Sequence, residues 1–447
     1  MNPAPLDYDA AVAALRARGR FGISLGLDRI RALLEELGHP EASLRGALVG
    51  GTNGKGSVVA LTAAVLREAG LRVGSMPKPH LVSYRERIAL DQVPLSEDRF
   101  AAAIRAVLPA IDRVSARLGP PTEFEALTAA AFAELARSRV DLVVVEVGLG
   151  GRLDATNALD PGVAAITNVA HDHEKHLGRT LAAIGTEKAA IIKPGSLAVT
   201  GATGRGLRPI IERAAAVGAP LRRAGAGQPY RAIVHHADWD GLLIDLEAPG
   251  RAVSSVAVGL LGSHQAANAA VALAVLDALA EDAGRRGTRL RITEAAVRSG
   301  FARARWPGRL ELFSVTPHGR VLLDGAHNPA GARALAGALT ELGVHDFPLV
   351  FGAMRGKRVS AVLRALAPLR PRPVFTSASE TGAENPIALR RRWLRLAPGG
   401  AAAERPERAL ELAAGLRSSP DQPIVVAGSL YLVGAVRGML TGEVKPR

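Results

Sequence analysis

One stretch, Gly51-Thr52-Asn53-Gly54-Lys55-Gly56-Ser57, constrains the fold more than any other part of this chain. It follows a short apolar run, Ala47–Gly51, and leads into Ser57–Ala69, where apolar residues recur at helical spacing. Strand, glycine-rich turn and helix in that order make a phosphate cradle. Glycines let backbone N–H groups turn towards an anion without Cβ clashes, and the helix N-terminus adds the positive end of its dipole. Lys55 can reach the β- and γ-phosphates, and Ser57 can place its hydroxyl on Mg²⁺. The spacing departs from the standard P-loop, because Gly56 separates Lys55 from the hydroxyl residue.

The rest of the chain alternates strand and helix, which predicts an α/β fold. Leu142–Val147 is a continuous apolar run ending at a Glu and a Gly cluster, as a buried parallel strand does. Ala164–Thr167 and Leu197–Thr200 read as strands and Ala266–Leu279 as a helix, giving an open sheet wrapped by helices. Phe301–Gly308, with Arg303, Arg305, Trp306, Pro307 and Gly308, suits a hinge. Beyond it the alternation restarts, with strands at Val321–Leu323, Leu349–Phe351, Val374–Thr376 and Ile424–Ala427 and a helix at Pro329–Leu342. The expected layout is an N-terminal ATP-binding domain over 1–300, a hinge over 301–308 and a smaller α/β domain over 309–447. The basic stretches Arg370–Pro373 and Arg390–Arg395 read as solvated surface.

Composition excludes several functions. The chain of 447 residues has no Cys, which removes disulfides, thiolate metal sites and a cysteine nucleophile. Aromatics make up 4%, too few for stacking platforms on single-stranded nucleic acid. The net charge of +14 invites a nucleic-acid or an anionic-substrate reading, but no nucleic-acid motif accompanies it. The longest apolar runs fall below the ~18–20 residues of a membrane span. Met1–Ala14 lacks the basic start and apolar core of a secretion signal, so the cytoplasm is the expected location. The basic residues are 7 Lys against 49 Arg. Against that background Lys55 stands out, since a compact ammonium fits a narrow phosphate cradle better than a planar guanidinium.

A phosphate-bound nucleotide needs Mg²⁺ and oxygen ligands nearby. Glu146 closes an apolar strand at its C-terminal end, where ligands of open α/β sheets sit, and is the first candidate. The loop Gly148–Asn157 after it is too glycine-rich and polar for core. Next come His171, Asp172, His173 and His176. Three histidines so close can suggest zinc, but Mg²⁺ already accounts for one of them. Lys188 lies in Glu187-Lys188-Ala189, where helix propensity alone would leave it near the surface.

These strings, with Asp324-Gly325-Ala326-His327-Asn328-Pro329, Gly262-Ser263-His264-Gln265 followed by Asn268, and Pro307-Gly308-Arg309-Leu310-Glu311, resemble the folylpolyglutamate synthase/dihydrofolate synthase family of the Mur-ligase superfamily. The resemblance runs over about residues 20–440 in the family's order. It implies a P-loop Mur-ligase-type ATPase domain, a Rossmann-like C-terminal domain and an active site between them. It implies an ADP-forming acid–amino-acid ligase acting as a monomer on ATP, L-glutamate and dihydropteroate or folates, without nucleic acid or membrane. By the same resemblance Thr52, Asn53, Gly54, Lys55, Gly56 and Ser57 cradle ATP, and Asn268, Arg309, Asp324 and His327 contact the nucleotide. Ser57, Glu146 and His173 hold Mg²⁺, of which two ions are expected. Lys55, His173 and Lys188 are the catalytic set, and Lys188 matches a lysine carbamylated in many relatives.

The folate side is expected at Thr122-Glu123-Phe124-Glu125-Ala126-Leu127-Thr128, which resembles a family segment near the pteridine. Phe124 offers a face to a flat heterocycle and Asp154 could pair with pterin N–H donors. One departure stands out. Relatives carry Thr-Ser-Pro-His-Leu where this chain has Pro77-Lys78-Pro79-His80-Leu81, and a protonated lysine cannot ligate Mg²⁺ as that serine can. Either Lys78 contacts ATP or folate anions directly, or the loop is displaced and Lys78 is solvated. The expected function is bifunctional, first on dihydropteroate and then on folates. The alternatives are a monofunctional folylpolyglutamate synthase and another Mur-type amino-acid ligase.

Overall fold

Side chains that alternate between the two faces explain how the first sheet becomes the middle of a three-layer core. In Gly46–Gly50 the side chains of Ala47 and Val49 point to one face and Leu48 to the other. In Leu142–Glu146, Leu142 and Val144 oppose Val143 and Val145. Both faces are therefore apolar, and helices cover both: Lys55–Glu68 and Gln265–Arg285 on one, Glu97–Leu118 and Glu123–Arg137 on the other. The computed structural model describes residues 7–19, 26–316, 318–377 and 381–442. The first six residues of the Met1–Ala14 stretch lie outside them, as do residues 20–25 where the resemblance begins.

The eight-stranded sheet has the spatial order Val93–Pro94, Ala89–Leu90, Val73–Met76, Leu142–Glu146, Gly46–Gly50, Gly162–Ile166, Leu197–Thr200 and Leu221–Arg223. From Val73–Met76 onwards the pairing is parallel; the two short edge strands pair antiparallel. Val49 stands opposite Glu146 on one side and Ala165 on the other, so the strand ends meet at a common level and the loops leaving them converge. A six-stranded sheet follows, in the order Glu311–Val315, Gly319–Leu323, Ile424–Ala427, Pro348–Phe351, Arg372–Phe375 and Ala401–Ala402. Only its first pair is antiparallel.

Two features differ from the sequence reading. Arg231–Asp238, Gly241–Ala248 and Arg251–Val258 form an antiparallel three-stranded sheet that closes over the helix Gln265–Arg285. Its polar, histidine-containing first strand hid it. Arg370–Pro373 is not simply solvated surface: Arg372 and Pro373 open a strand, and Arg372 donates to Gln422 Oε1 at 2.7 Å. In the other basic stretch Trp393 is buried, while Arg392 pairs with Glu384 at 2.8 Å.

The two halves interlock. Leu81 and Val82, from the loop after the Val73–Met76 strand, pack into the apolar cluster of Val321, Leu323, Leu432 and Val433. The Glu86 carboxylate shapes this loop by accepting the N–H groups of Leu81, Val82 and Ser83 at 2.7, 2.9 and 2.8 Å. Trp306, in the expected hinge, lies where a Cβ on Gly56 would be, so that glycine lets the indole cover the start of the phosphate-loop helix.

Close helix packing gives a stability test. A Cβ on Gly300 would stand 2.6 Å from the Val65 main chain, whereas Gly337 sits on an exposed helical position with open space. Gly300→Ala is expected to lower stability by ~1–3 kcal/mol, and Gly337→Ala to raise it by roughly 0.5–1 kcal/mol. Denaturant unfolding measures both; a Gly300→Ala midpoint at or above wild type would contradict the packing.

Candidate active site

The phosphate loop is held from behind by its own sheet. Thr52 N–H donates to the Asn168 carbonyl at 3.1 Å and Asn53 N–H to Asn168 Oδ1 at 3.0 Å. Thr167 Oγ1 and Asn168 Nδ2 both donate to the Asn53 carbonyl, at 2.6 and 2.9 Å. Gly54 has φ +79°, and Asn268 Oδ1 fills the space its Cβ would need. The helix Lys55–Glu68 then starts with Ser57 buried beneath the loop.

Lys55 folds back over this loop, with Nζ 3.2 Å from the carbonyls of Gly51 and Thr52 and 4.0 Å from Glu146 Oε1. Burial lowers its pKa, against the attraction of Glu146. Burial likewise raises Glu146, against the attraction of Lys55. Lys188 arrives from the opposite side and donates to the Gly51 carbonyl at 2.9 Å. It is 3% exposed, so the surface position suggested by propensity is wrong: the helix Leu181–Ala189 turns it inwards. Burial pushes its amine down to about 7.

Lys78 is also buried, at 8% exposure, which rules out the solvated reading. Its N–H donates to Glu146 Oε2 at 3.1 Å. Its Nζ lies 3.8 Å from the centroid of the Phe124 ring and 3.9 Å from Asp154 Oδ1, without a hydrogen-bond partner. Burial brings its pKa down to about 8. Three features of this geometry bear on the expected pterin contacts. The ammonium covers a face of Phe124. Asp154 spends its lone pairs on the chain itself, accepting Gly148 N–H (3.0 Å), Leu149 N–H (2.8 Å), Thr156 N–H (3.0 Å) and Thr156 Oγ1 (2.5 Å). Thr122 caps the helix Glu123–Arg137 in a capping box with Glu125. Asp154 and Thr122 thus organise the loop and helix that border the pocket.

Asp172 joins the two domains. Its Oδ1 accepts Lys357 Nζ at 2.6 Å, and its Oδ2 faces His327 Nε2 at 3.2 Å and accepts Asn328 Nδ2 at 3.1 Å. Burial opposes its ionisation, but the His327 hydrogen bond and the charges of His327 and Lys357 hold its carboxyl well below the usual range. Asn328 Nδ2 also donates to Asn53 Oδ1 at 2.9 Å, so the second domain touches the phosphate loop. Burial and the nearby Lys357 push the His173 imidazole down to about 4, leaving it a neutral ring at physiological pH. Asp324 accepts Ala326 N–H and Leu310 N–H at 2.9 and 3.0 Å, fixing the turn that carries His327. Arg309 Nη1 donates to the Gly308 carbonyl at 3.3 Å.

Every site residue expected from the sequence lines one cavity of about 1160 Å³ between the domains. So do Lys175, Lys357 and Asn328, which sequence reasoning did not select. Their signal was lysine scarcity: Lys55, Lys78, Lys175, Lys188 and Lys357 all line the cavity, and among the described lysines only Lys193 lies elsewhere.

Comparison with known proteins agrees with this architecture. The Mur ligase middle domain matches residues 101–276, and the Mur ligase glutamate ligase domain matches residues 308–430. The dihydrofolate synthase/folylpolyglutamate synthase of Bacillus subtilis (strain 168) is 35% identical over 366 residues, 80% of this chain and 82% of its own. Mycobacterium tuberculosis folylpolyglutamate synthase complexed with ADP and AMPPCP is similar in structure, with a TM-score of 0.87 at 32% identity over 97% of this chain and 99% of that one. Escherichia coli FolC in complex with DHPP and ADP reaches 0.84 at 27% identity, over 98% of each chain. Fold and site thus define an ATP-dependent ligase of the Mur type. The chain belongs to the folylpolyglutamate synthase/dihydrofolate synthase family.

The Asp172 hub generates a prediction. Asp172→Asn turns an amide towards the donors Lys357 and Asn328, and is expected to lower kcat/KM about 100-fold, equivalent to ~2.7 kcal/mol. ATP-dependent product formation measures it; a loss under about threefold would show that the interdomain contact is dispensable.

Proposed function

We propose that this protein joins L-glutamate to dihydropteroate, and then to the γ-carboxyl of tetrahydrofolates, at the expense of ATP. The observation that carries the reading is the shared cavity: the phosphate loop, the second-domain turn of Asp324 and His327, and the Phe124 pocket open into one space. A carboxylate is a poor electrophile because oxide is its leaving group. Transfer of the γ-phosphoryl gives an acyl phosphate with a good leaving group, which the glutamate amine displaces. That transfer needs positioning and charge neutralisation, for which Lys55 and the loop amides are suited. Residues 301–308 act as the hinge, and closure through Asp172, His327 and Lys357 keeps water from the acyl phosphate.

The donors present suit Mg²⁺. Glu146 is buried with Oε1 4.0 Å from Lys55 Nζ, Ser57 is a buried hydroxyl, and the His173 ring is neutral. Among the described residues no three acidic or histidine side chains form a metal-ready group, which fits an ion completed by phosphate oxygens. When bound, Mg²⁺ supplies neutralisation of the phosphate charge. Lys188 is suited to carbamylation, in which its unprotonated amine adds to CO₂ and releases a proton.

The test runs dihydropteroate and tetrahydrofolate side by side with ATP and glutamate. Glutamylated product and ADP are expected from both acids. Product from tetrahydrofolate alone would establish the monofunctional alternative, and product from neither would overturn the folate reading. For Lys188, ¹³C-labelled bicarbonate is expected to give a carbamate carbon signal that Lys188→Ala abolishes, with activity down at least about 100-fold, the range of a lost transition-state contact. A wild-type spectrum without that signal would exclude the modification.

A further inference from the structure

The Lys78 ammonium lines the cavity, is buried at 8% exposure, and has no hydrogen-bond acceptor among the described residues. Asp154 Oδ1 stands 3.9 Å away, beyond hydrogen-bonding reach, and already accepts from Thr156, while Oδ2 accepts from Gly148 and Leu149. Lys55 and Lys188, by contrast, both donate to the Gly51 carbonyl, and Lys357 donates to Asp172. A buried ammonium with unused N–H groups is costly, and an anion that reaches it offsets that cost. The run of the side chain indicates which anion. At its main-chain end the Lys78 N–H donates to Glu146 Oε2 at 3.1 Å, and Lys55 of the phosphate loop lies 4.0 Å from the other oxygen of that carboxylate. At its tip Nζ is 3.8 Å from the centroid of the Phe124 ring. Gly148 allows this packing, since a Cβ there would stand 2.9 Å from Asp154 Oδ2 and 3.3 Å from the Phe124 ring. The ammonium thus sits where the phosphate end of the cavity meets the Phe124 pocket. An acid whose aromatic body lies in that pocket and whose carboxylate faces the γ-phosphate brings the carboxylate to this junction. Both groups are anions that must approach to bonding distance, and a cation at the junction offsets their repulsion.

We infer that the Lys78 ammonium binds the carboxylate of the acid that is to be phosphorylated, as an anchor separate from the phosphate-binding Lys55. The contact is a charge-assisted hydrogen bond, and no covalent step passes through it. Leu81 and Val82, packed into the second domain's core, hold the loop that presents it. The inference rests on the ligase reading above but not on which of the two acids is ligated.

The test compares each acid with its own neutral twin. Dihydropteroate and tetrahydrofolate are titrated calorimetrically into the full chain saturated with Mg²⁺ and a non-hydrolysable ATP analogue, beside the carboxamides in which the carboxyl to be activated is an amide. The wild type is expected to bind an acid about 30-fold more tightly than its carboxamide. Lys78→Met, which removes the charge and the donors at similar length, is expected to weaken the acid by about 30-fold and to leave the carboxamide within about threefold. Lys78→Gln is expected to behave in the same way. Equal affinity of the wild type for acid and carboxamide would overturn the inference, and that measurement needs no variant to fold. So would variants that weaken acid and carboxamide alike, as a purely structural lysine does, or variants that keep the preference for the acid. Binding of neither acid to the wild type would defeat the folate reading itself, a result distinct from the others.

Discussion

Taking an ammonium out of water is costly unless something else accepts its protons or balances its charge. This protein does so at Lys55, Lys78 and Lys188 around one strand end. The arrangement depends on the parallel register that sets Val49 against Glu146, because that register brings the phosphate loop and a buried carboxylate to the same level. Gly51 then serves two lysines at once, its carbonyl accepting from both Lys55 and Lys188. These carbonyl contacts are partial substitutes for hydration. A nucleotide's phosphates would bring far more negative charge to the same groups, so the empty-handed lysines are poised for an anion.

The preference for lysine here has a physical basis. Arginine outnumbers lysine 49 to 7 over the chain, yet the cavity gathers five lysines. A guanidinium presents a planar fork and cannot readily give up its proton, whereas an ammonium fits a small space and responds to burial. At Lys188 that response leaves an amine near neutrality, and at Lys78 it leaves a cation without acceptors. The same residue type thus serves different ends according to what surrounds it.

Much of this site was legible in the sequence, because its parts are local. Gly51–Ser57 needs only its own glycines and the strand before it, and Glu146 needs only its place at the end of an apolar run. The fold class was legible for the same reason, as were the strands Leu197–Thr200 and Ile424–Ala427 to the residue. What escaped depends on distant partners. Asp154 resembles a ligand residue, but the backbone N–H groups of Gly148 and Leu149, five or six positions away, claim it first. Lys78, 46 positions earlier, stands over the Phe124 ring, a contact no local pattern announces. Lys357 lies 185 positions from Asp172, in a segment without a motif, and only the tertiary fold joins them. The Arg231–Val258 sheet was missed because its first strand is largely exposed and carries His235 and His236 where an apolar alternation would have marked it.

Contacts between the domains tie the segment proposed as the hinge to the phosphate loop. Trp306 covers Gly56 at the start of the phosphate helix, while Asn328 reaches Asn53 and Leu81 is anchored in the second domain. With the hinge proposed at residues 301–308, a rotation there would move a side chain that touches the ATP cradle, and the Leu81 anchor would tie it to the loop that holds Lys78. On that proposal, binding at the cradle and closure over the acid to be activated would be one event. The side-chain partners of Asp172, Lys357, His327 and Asn328, all come from the second domain, while the main-chain N–H of His173 holds Oδ1 from the first. An acyl phosphate is vulnerable to water for as long as it exists, so a catalyst that forms it gains by making the closed state and the charged state coincide. The interlocked contacts around Asp172, Trp306 and Leu81 would be the physical means of that coincidence.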